Sequence, residues 1–210
     1  MRWASLHSPL SEQIDYTAFA SNKEVIGQVL GTSDALQFQK LAVAAAHAVH
    51  AHGLHRVAIA DFDVHHGNGS QDIFAGDPRV MYLSSHQSPL YPNTGDPAER
   101  GVGNLANATL APGADSKAFR AVWQDLLLPR LEDFRPQLLL VSAGFDGHRL
   151  DPLADLALEA GDYRWLSAEL AALAGRHAGG RLVSLLEGGY SLSALRASSV
   201  AHLHGLLDAR

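Results

Sequence analysis

Val57-Ala58-Ile59-Ala60 runs straight into Asp61-Phe62-Asp63-Val64-His65-His66-Gly67-Asn68-Gly69. The four apolar residues read as a buried strand. Beyond them, two carboxylates and an imidazole stand at alternate positions, 61, 63 and 65. Alternate positions of an extended chain share a face, so these groups project together where the strand ends. Carboxylate oxygen and imidazole nitrogen are good ligands for zinc or ferrous iron, and parallel sheets present such groups at the carboxyl ends of their strands. The run therefore predicts a strand and metal chemistry at its end.

Outward from this run, apolar stretches at 80–84, 138–142 and 182–186 repeat the pattern, separated by amphipathic segments. Their nearly continuous apolar character argues for burial on both faces, hence a parallel sheet covered by helices on each side, an α/β fold. A helix is predicted over 35–52, with Phe38, Leu41, Ala45 and Val49 on one side, capping candidates Thr32, Ser33 and Asp34, and a stop at Gly53. It should pack beside the 57–61 strand. A second helix, over 116–134, carries Phe119, Val122, Leu126 and Leu127, with Pro129 expected to bend or divide it. The stretch 85–113 is rich in Gly, Pro and Asn and reads as a long loop lining a site. Weak helical patterning surrounds Ile14, Ala18, Val25 and Val29 near the amino end.

At 210 residues and 47% hydrophobic content, the chain is long enough for one sizeable core and short for several. A formal net charge of -6 argues against direct nucleic-acid binding. With no cysteine, sulfur ligands and disulfides are excluded, and a cytoplasmic location is expected. No apolar run approaches bilayer length, so no membrane partner is expected.

Two further strand ends carry chemistry. Ser142-Ala143-Gly144-Phe145-Asp146-Gly147-His148 adds a carboxylate, with Asp151-Pro152-Leu153 just beyond. Leu186-Glu187-Gly188-Gly189-Tyr190 adds two glycines that let the main chain turn closely against a ligand, and a phenol aimed into the same crevice.

In this order, together with Ser84-Ser85-His86-Gln87 and Tyr91-Pro92-Asn93-Thr94-Gly95, the motifs resemble the histone deacetylase superfamily over about residues 41–206. That superfamily also contains acetoin-utilisation proteins and acetylpolyamine amidohydrolases. Asn68 and Glu187 are most similar to its class II branch, and Asn93 stands where the family usually has Gly. The resemblance implies a three-layer α/β/α fold with a mainly parallel, arginase/deacetylase-like sheet. It implies that Asp63, His65 and Asp146 hold a catalytic zinc, with ferrous iron as the alternative, and that Tyr190 donates a hydrogen bond to the substrate carbonyl. Asp61 and Ser84 match residues around a structural potassium ion, and Tyr91, Gly188 and Gly189 match the substrate tunnel. The implied substrate is an acetylated lysine or an acetylpolyamine.

The chain also departs from the family pattern. The family's upstream histidine pair, which supplies general base and acid, has no counterpart; its place reads Asp34-Ala35-Leu36-Gln37-Phe38-Gln39-Lys40. Loss of such groups puts a factor of roughly 10²–10⁴ in rate at risk. Residues 1–40 read as a divergent segment and 41–210 as a partial deacetylase-like domain lacking its first strands. An exposed sheet edge, covered by a partner or a second copy, is the structural expectation. Two other functions compete with a zinc deacetylase: an acyl-lysine-binding module without turnover, and an arginase-like manganese hydrolase, which needs more carboxylates than Asp146-Gly147-His148 offers. His47 and His50 fall opposite the Leu41 stripe and should be solvated, His66 and His86 should support the turn and the tunnel loop, and His148 is placed to approach the metal.

Overall fold

Five short apolar runs line up side by side in the computed structural model of the chain, which describes residues 40–208. They are β1 (Val57–Asp61), β2 (Val80–Gln87), β3 (Leu105–Leu110), β4 (Leu138–Ala143) and β5 (Leu182–Leu186). The order is β3-β2-β1-β4-β5 and every pairing is parallel. Helices α1 (Lys40–His50), α2 (Asn68–Phe74), α3 (Ser116–Val122), α4 (Leu128–Phe134), α5 (Ala160–Ala178) and α6 (Leu192–Asp208) complete it.

Alternation along the strands separates two cores, as the pleat requires. Ala58, Ala60, Met81, Leu83, Leu139 and Val141 face Phe119, Trp123, Leu131, Leu166 and Leu170 of the helices after β3 and β4. Val57, Ile59, Val80, Tyr82 and Leu140 face Leu41, Ala45 and Val49 of α1 and Phe74 of α2. This is the three-layer α/β/α arrangement, and α1 packs beside β1 as its apolar stripe predicts. Gly53, at φ +65°, sits where that helix stops, and Leu54 N–H reaches back to Ala48 O at 3.1 Å, closing a left-handed cap. The capping candidates Thr32, Ser33 and Asp34, the predicted helix start with Phe38, and the weak pattern around Ile14, Ala18, Val25 and Val29 lie outside the described residues.

One reading needs correction and a second gains detail. The 85–113 stretch is not all loop, because it contains β3. An edge strand needs a single neighbour, and its polar members find local partners: Asn107 Nδ2 donates to Gln71 Oε1 at 2.7 Å. Pairing with β3 also carries β2 on to Gln87, with Ser85, His86 and Gln87 opposite Ala108, Thr109 and Leu110. The 116–134 helix is interrupted near Pro129, and the interruption is a π-helical turn, Trp123–Leu127, closed by Leu128 N–H to Trp123 O. Pro129, which has no N–H to give, then falls in the first turn of α4.

The chain visits β1, β2 and β3 on one side and then crosses back to β4 on the other, so neighbouring connections diverge between β1 and β4. Open parallel sheets form a crevice at such a point, outside the carboxyl ends of the strands. Register makes those ends level, with Asp61 opposite both Ser84 and Ser142, and Ala143 opposite Leu186. Among the described residues β5 is an edge strand, with Val183 50% and Leu186 54% exposed. No helix among them is long and apolar enough to cross a membrane.

Trp123 is fully buried and its indole N–H donates to Ser85 Oγ at 3.0 Å, pinning the π turn to β2. Trp123→Ala should lower stability by about 3–5 kcal/mol, measured by urea denaturation.

Candidate metal centre

Past Asp61 the chain leaves the sheet by two consecutive side-chain turns. Asp61 Oδ1 accepts from Asp63 N–H at 3.1 Å, and Asp63 Oδ1 accepts from His65 N–H at 2.8 Å. Such two-residue turns are what Asp favours after an extended segment. They set the His65 ring beside the Asp63 carboxylate, with Nδ1 at 3.2 Å from Asp63 Oδ1 and 3.0 Å from Asp146 Oδ2. Asp146 arrives from β4, the direct neighbour of β1. One ligand atom from each of Asp63, His65 and Asp146 lies within 4.8 Å of the others.

Each carboxylate is fixed through its remaining oxygen. Val64 N–H donates to Asp146 Oδ1 at 3.0 Å, and Gly188 N–H donates to Asp63 Oδ2 at 2.8 Å. Phe145 N–H in turn donates to Gly188 O at 2.8 Å, so the ends of β1, β4 and β5 are laced together around the cluster. This packing explains two glycines. A Cβ on Gly144 would strike the Asp63 carboxylate, and one on Gly188 would strike both Asp146 Oδ2 and Asp63 Oδ2.

The electrostatics ask for a cation. Burial pushes Asp146 up to about 6 against the lowering effect of its bond to His65, and the Asp63 charge pushes the same way as burial. His65 is pushed up to about 10 by its hydrogen bonds to Asp146 and Asp63. Asp61, buried behind them, is held well above the usual carboxylate range by burial and then by the Asp63 charge. A tetrahedral ion with ligand bonds of about 2.0–2.2 Å has ligand–ligand edges of about 3.3–3.6 Å. The separations of 3.0 and 3.2 Å from His65 Nδ1 lie close to those edges, and two oxygens with one imidazole nitrogen suit zinc or ferrous iron. The donor set fits.

The remaining expected positions surround this cluster or stand apart from it. Asp61 faces Ser84 in register; its Oδ2 accepts from Tyr82 O–H at 3.0 Å, while Ser84 Oγ lies 2.9 Å from His86 Nδ1. Tyr190 is 54% exposed, and its phenol is raised by partial burial and then by the charges of Asp146 and Asp63. Tyr91 is 77% exposed in the loop after β2. Asn93 adopts φ +62°, a left-handed conformation that Asn tolerates better than most residues other than Gly. Gly188 touches the ligand carboxylates directly, and Gly189 comes next at φ +138°.

His66 and His86 support this region as expected: His66 Nδ1 lies 2.8 Å from Thr94 Oγ1, and His86 Nε2 lies 3.2 Å from Gly95 O. His148 does not approach the ligands. The chain turns after Asp146, so alternate positions no longer share a face, and His148 Nδ1 accepts from Leu150 N–H at 3.2 Å. His47 is not simply solvated, because its Nε2 lies 3.2 Å from His52 Nε2. Among the described residues no second cluster of metal-ligating side chains joins the first.

Known proteins share both the sequence and this fold. The histone deacetylase domain matches residues 37–206. The chain is 42% identical over 174 residues to histone deacetylase 14, chloroplastic, of Arabidopsis thaliana, covering 81% of this chain and 41% of that protein. It is 44% identical over 159 residues to a histone deacetylase-like amidohydrolase of Pseudomonas aeruginosa, covering 73% of this chain and 42% of that protein. The crystal structure of the HDA15 HD domain superposes with a TM-score of 0.76 at 35% identity, covering 83% of this chain and 52% of that one. The chain thus spans about two fifths of the length of these two sequence relatives.

Gly188→Ala should weaken uptake of added divalent metal (zinc or ferrous iron) at this site, read by elemental analysis, whereas Gly76→Ala, whose Cβ meets nothing within 4 Å, should leave it unchanged. Metal uptake should also release protons. Between about pH 6 and pH 10 Asp146 is ionised while His65 is protonated, so each ion should displace close to one proton, rising toward two below that window. Calorimetry in buffers of different ionisation enthalpy reads this number.

Proposed function

The chain belongs to the histone deacetylase family, and on that premise we propose that it is a zinc-dependent amidohydrolase removing an acetyl group from a lysine side chain or a polyamine. The observation that carries the reading is the meeting of Asp63, His65 and Asp146 at one point outside the sheet. When bound, the ion supplies Lewis acidity toward an amide carbonyl and a water of lowered pKa. The protein's own groups do the rest. Asp63, His65 and Asp146 hold the ion, while Gly188 and Val64 N–H groups fix the carboxylates. Tyr190 O–H donates to the carbonyl oxygen, a contact that strengthens as negative charge collects there. Tyr91 and the glycines after β5 flank the acyl chain.

Charge supports this substrate class: with Asp63 and Asp146 engaged by the ion, Asp151 and Glu187 still act on the Tyr190 phenol, which favours a cationic amine product such as lysine or a polyamine. Asp61 and Ser84, level with each other in β1 and β2, support a structural potassium site, since a cation there would offset the buried Asp61 carboxyl.

General acid–base work is the weak part of this chain. The family's histidine pair is replaced by 34–40, and His148 is committed to the loop after Asp146. Slow turnover is the consequence we propose. The replaced pair also favours a second reading, a module that binds acyl-lysine without hydrolysing it.

With zinc-loaded protein and an acetyl-lysine reporter, we expect slow hydrolysis abolished by chelator, and a kcat for Tyr190→Phe lower by about 10²-fold with KM changed little. Saturable binding of the acetyl-lysine peptide without any hydrolysis would select the second reading. Hydrolysis indifferent to both chelator and Tyr190 would end the first.

A further inference from the structure

The Tyr190 hydroxyl has no hydrogen-bond partner among the described residues, and the ring is half exposed. Where the Tyr190 Cα stands, and hence the reach of the phenol, is set by its main chain. That main chain is held from another loop. Asp151 Oδ2 accepts from Tyr190 N–H at 2.7 Å and from Ser191 N–H at 3.3 Å. Its other oxygen, Oδ1, accepts from Leu153 N–H at 3.0 Å. Asp151 is 8% exposed, so its carboxylate lies largely out of water.

The holder is itself anchored. Asp151 N–H donates to His148 O at 2.8 Å, Arg149 N–H donates to Leu158 O at 3.0 Å, and Leu158 N–H donates to Gly147 O at 3.2 Å. Leu150 N–H is taken by His148 Nδ1. The short segment from Asp146 to Asp151 is thus a braced loop with a metal-ligating carboxylate at one end and an N–H-accepting carboxylate at the other. A carboxylate with backbone N–H donors makes charge-assisted bonds, roughly twice as strong as neutral ones. The same acceptor meets the chain where α6 begins, since Leu195 N–H bonds back to Ser191 O at 2.8 Å.

We infer that Asp151 is a positioning residue for Tyr190: the 146–151 loop acts as a spacer that sets where the phenol stands relative to the metal ligands. The inference rests on the proposed role of Tyr190, and it adds a residue that acts through that tyrosine without touching substrate. Its central links join the Asp151 carboxylate to backbone N–H groups beyond the carboxyl ends of β4 and β5.

The test uses zinc-loaded full chain carrying Asp151→Asn, which preserves shape, and Asp151→Ala. We expect amide hydrogen exchange at Tyr190 and Ser191 to rise by about tenfold or more, with one zinc retained. With the acetyl-lysine reporter, kcat should fall by about tenfold with KM within about threefold, and the Asp151→Asn, Tyr190→Phe double variant should be no slower than Tyr190→Phe alone. Unchanged exchange overturns the inference. So does zinc loss in step with lost turnover, which would make Asp151 a support for Asp146, and so does an additive double variant. If the parent chain hydrolyses nothing, the proposed deacetylase activity falls, and the exchange measurement alone decides whether Asp151 holds Tyr190.

Discussion

Two carboxylates aimed at one point, with a single imidazole between them, form the constraint on which this structure turns. Asp63 and Asp146 repel one another, and Asp146 is fully buried, so the pair persists only because backbone N–H groups hold the outer oxygens and His65 bridges the inner ones. Like charges this close to each other and out of water are unfavourable without a compensating cation. The raised pKa of His65 has the same origin, because the two carboxylates hydrogen-bonded to its ring favour the protonated, cationic form.

Much of the surrounding architecture serves that convergence. Level strand ends require in-register parallel pairing of β1 with both β2 and β4, which the apolar, alternately facing residues of the three strands provide by burying both faces. Close approach of β5 requires Gly188, because any side chain there would occupy the space of the Asp146 and Asp63 oxygens. The crevice opens between β1 and β4 because the chain reverses its direction of travel across the sheet at that point. Remote residues contribute to the same end: Trp123 ties a π turn to β2 through Ser85, and Tyr82 takes up the buried Asp61 carboxyl beneath the cluster while accepting from Gly67 N–H at 3.1 Å.

The edges of the molecule obey different rules. β3 survives in a stretch rich in turn-forming residues because an edge strand needs one partner only. Among the described residues β5 is the opposite edge strand, with Val183 and Leu186 half exposed, the kind of apolar edge that sheets ordinarily cover. Its carboxyl end is nevertheless ordered by the site itself, through Gly188 to Asp63 and Tyr190 to Asp151.

Legibility in the sequence divided along the range of the forces involved. Asp63 and His65 stood out as candidates from an acid–imidazole run at a strand end, although two side-chain turns after Asp61, and not an extended backbone, set their geometry, and Asp146 was a further carboxylate at a second strand end. The parallel sheet was legible from continuous apolar runs. His148 was misread because the chain turns after Asp146 and the two-residue rule lapses. β3 was missed because its pairing to β2 outweighs the local preference of Gly, Pro and Asn for turns. The hold of Asp151 on Tyr190 had no signal beyond an Asp before Pro152, since the two residues are 39 positions apart and meet only when β4 and β5 pair. By itself, then, the sequence determined the strand type and the layered class, set by local periodicity and burial, and it carried the motifs whose family resemblance marks Asp63, His65 and Asp146 as a candidate metal site. Tertiary structure alone decided how far the ligands stand from one another and from the phenol, because those distances depend on hydrogen bonds between strand ends that are remote along the chain.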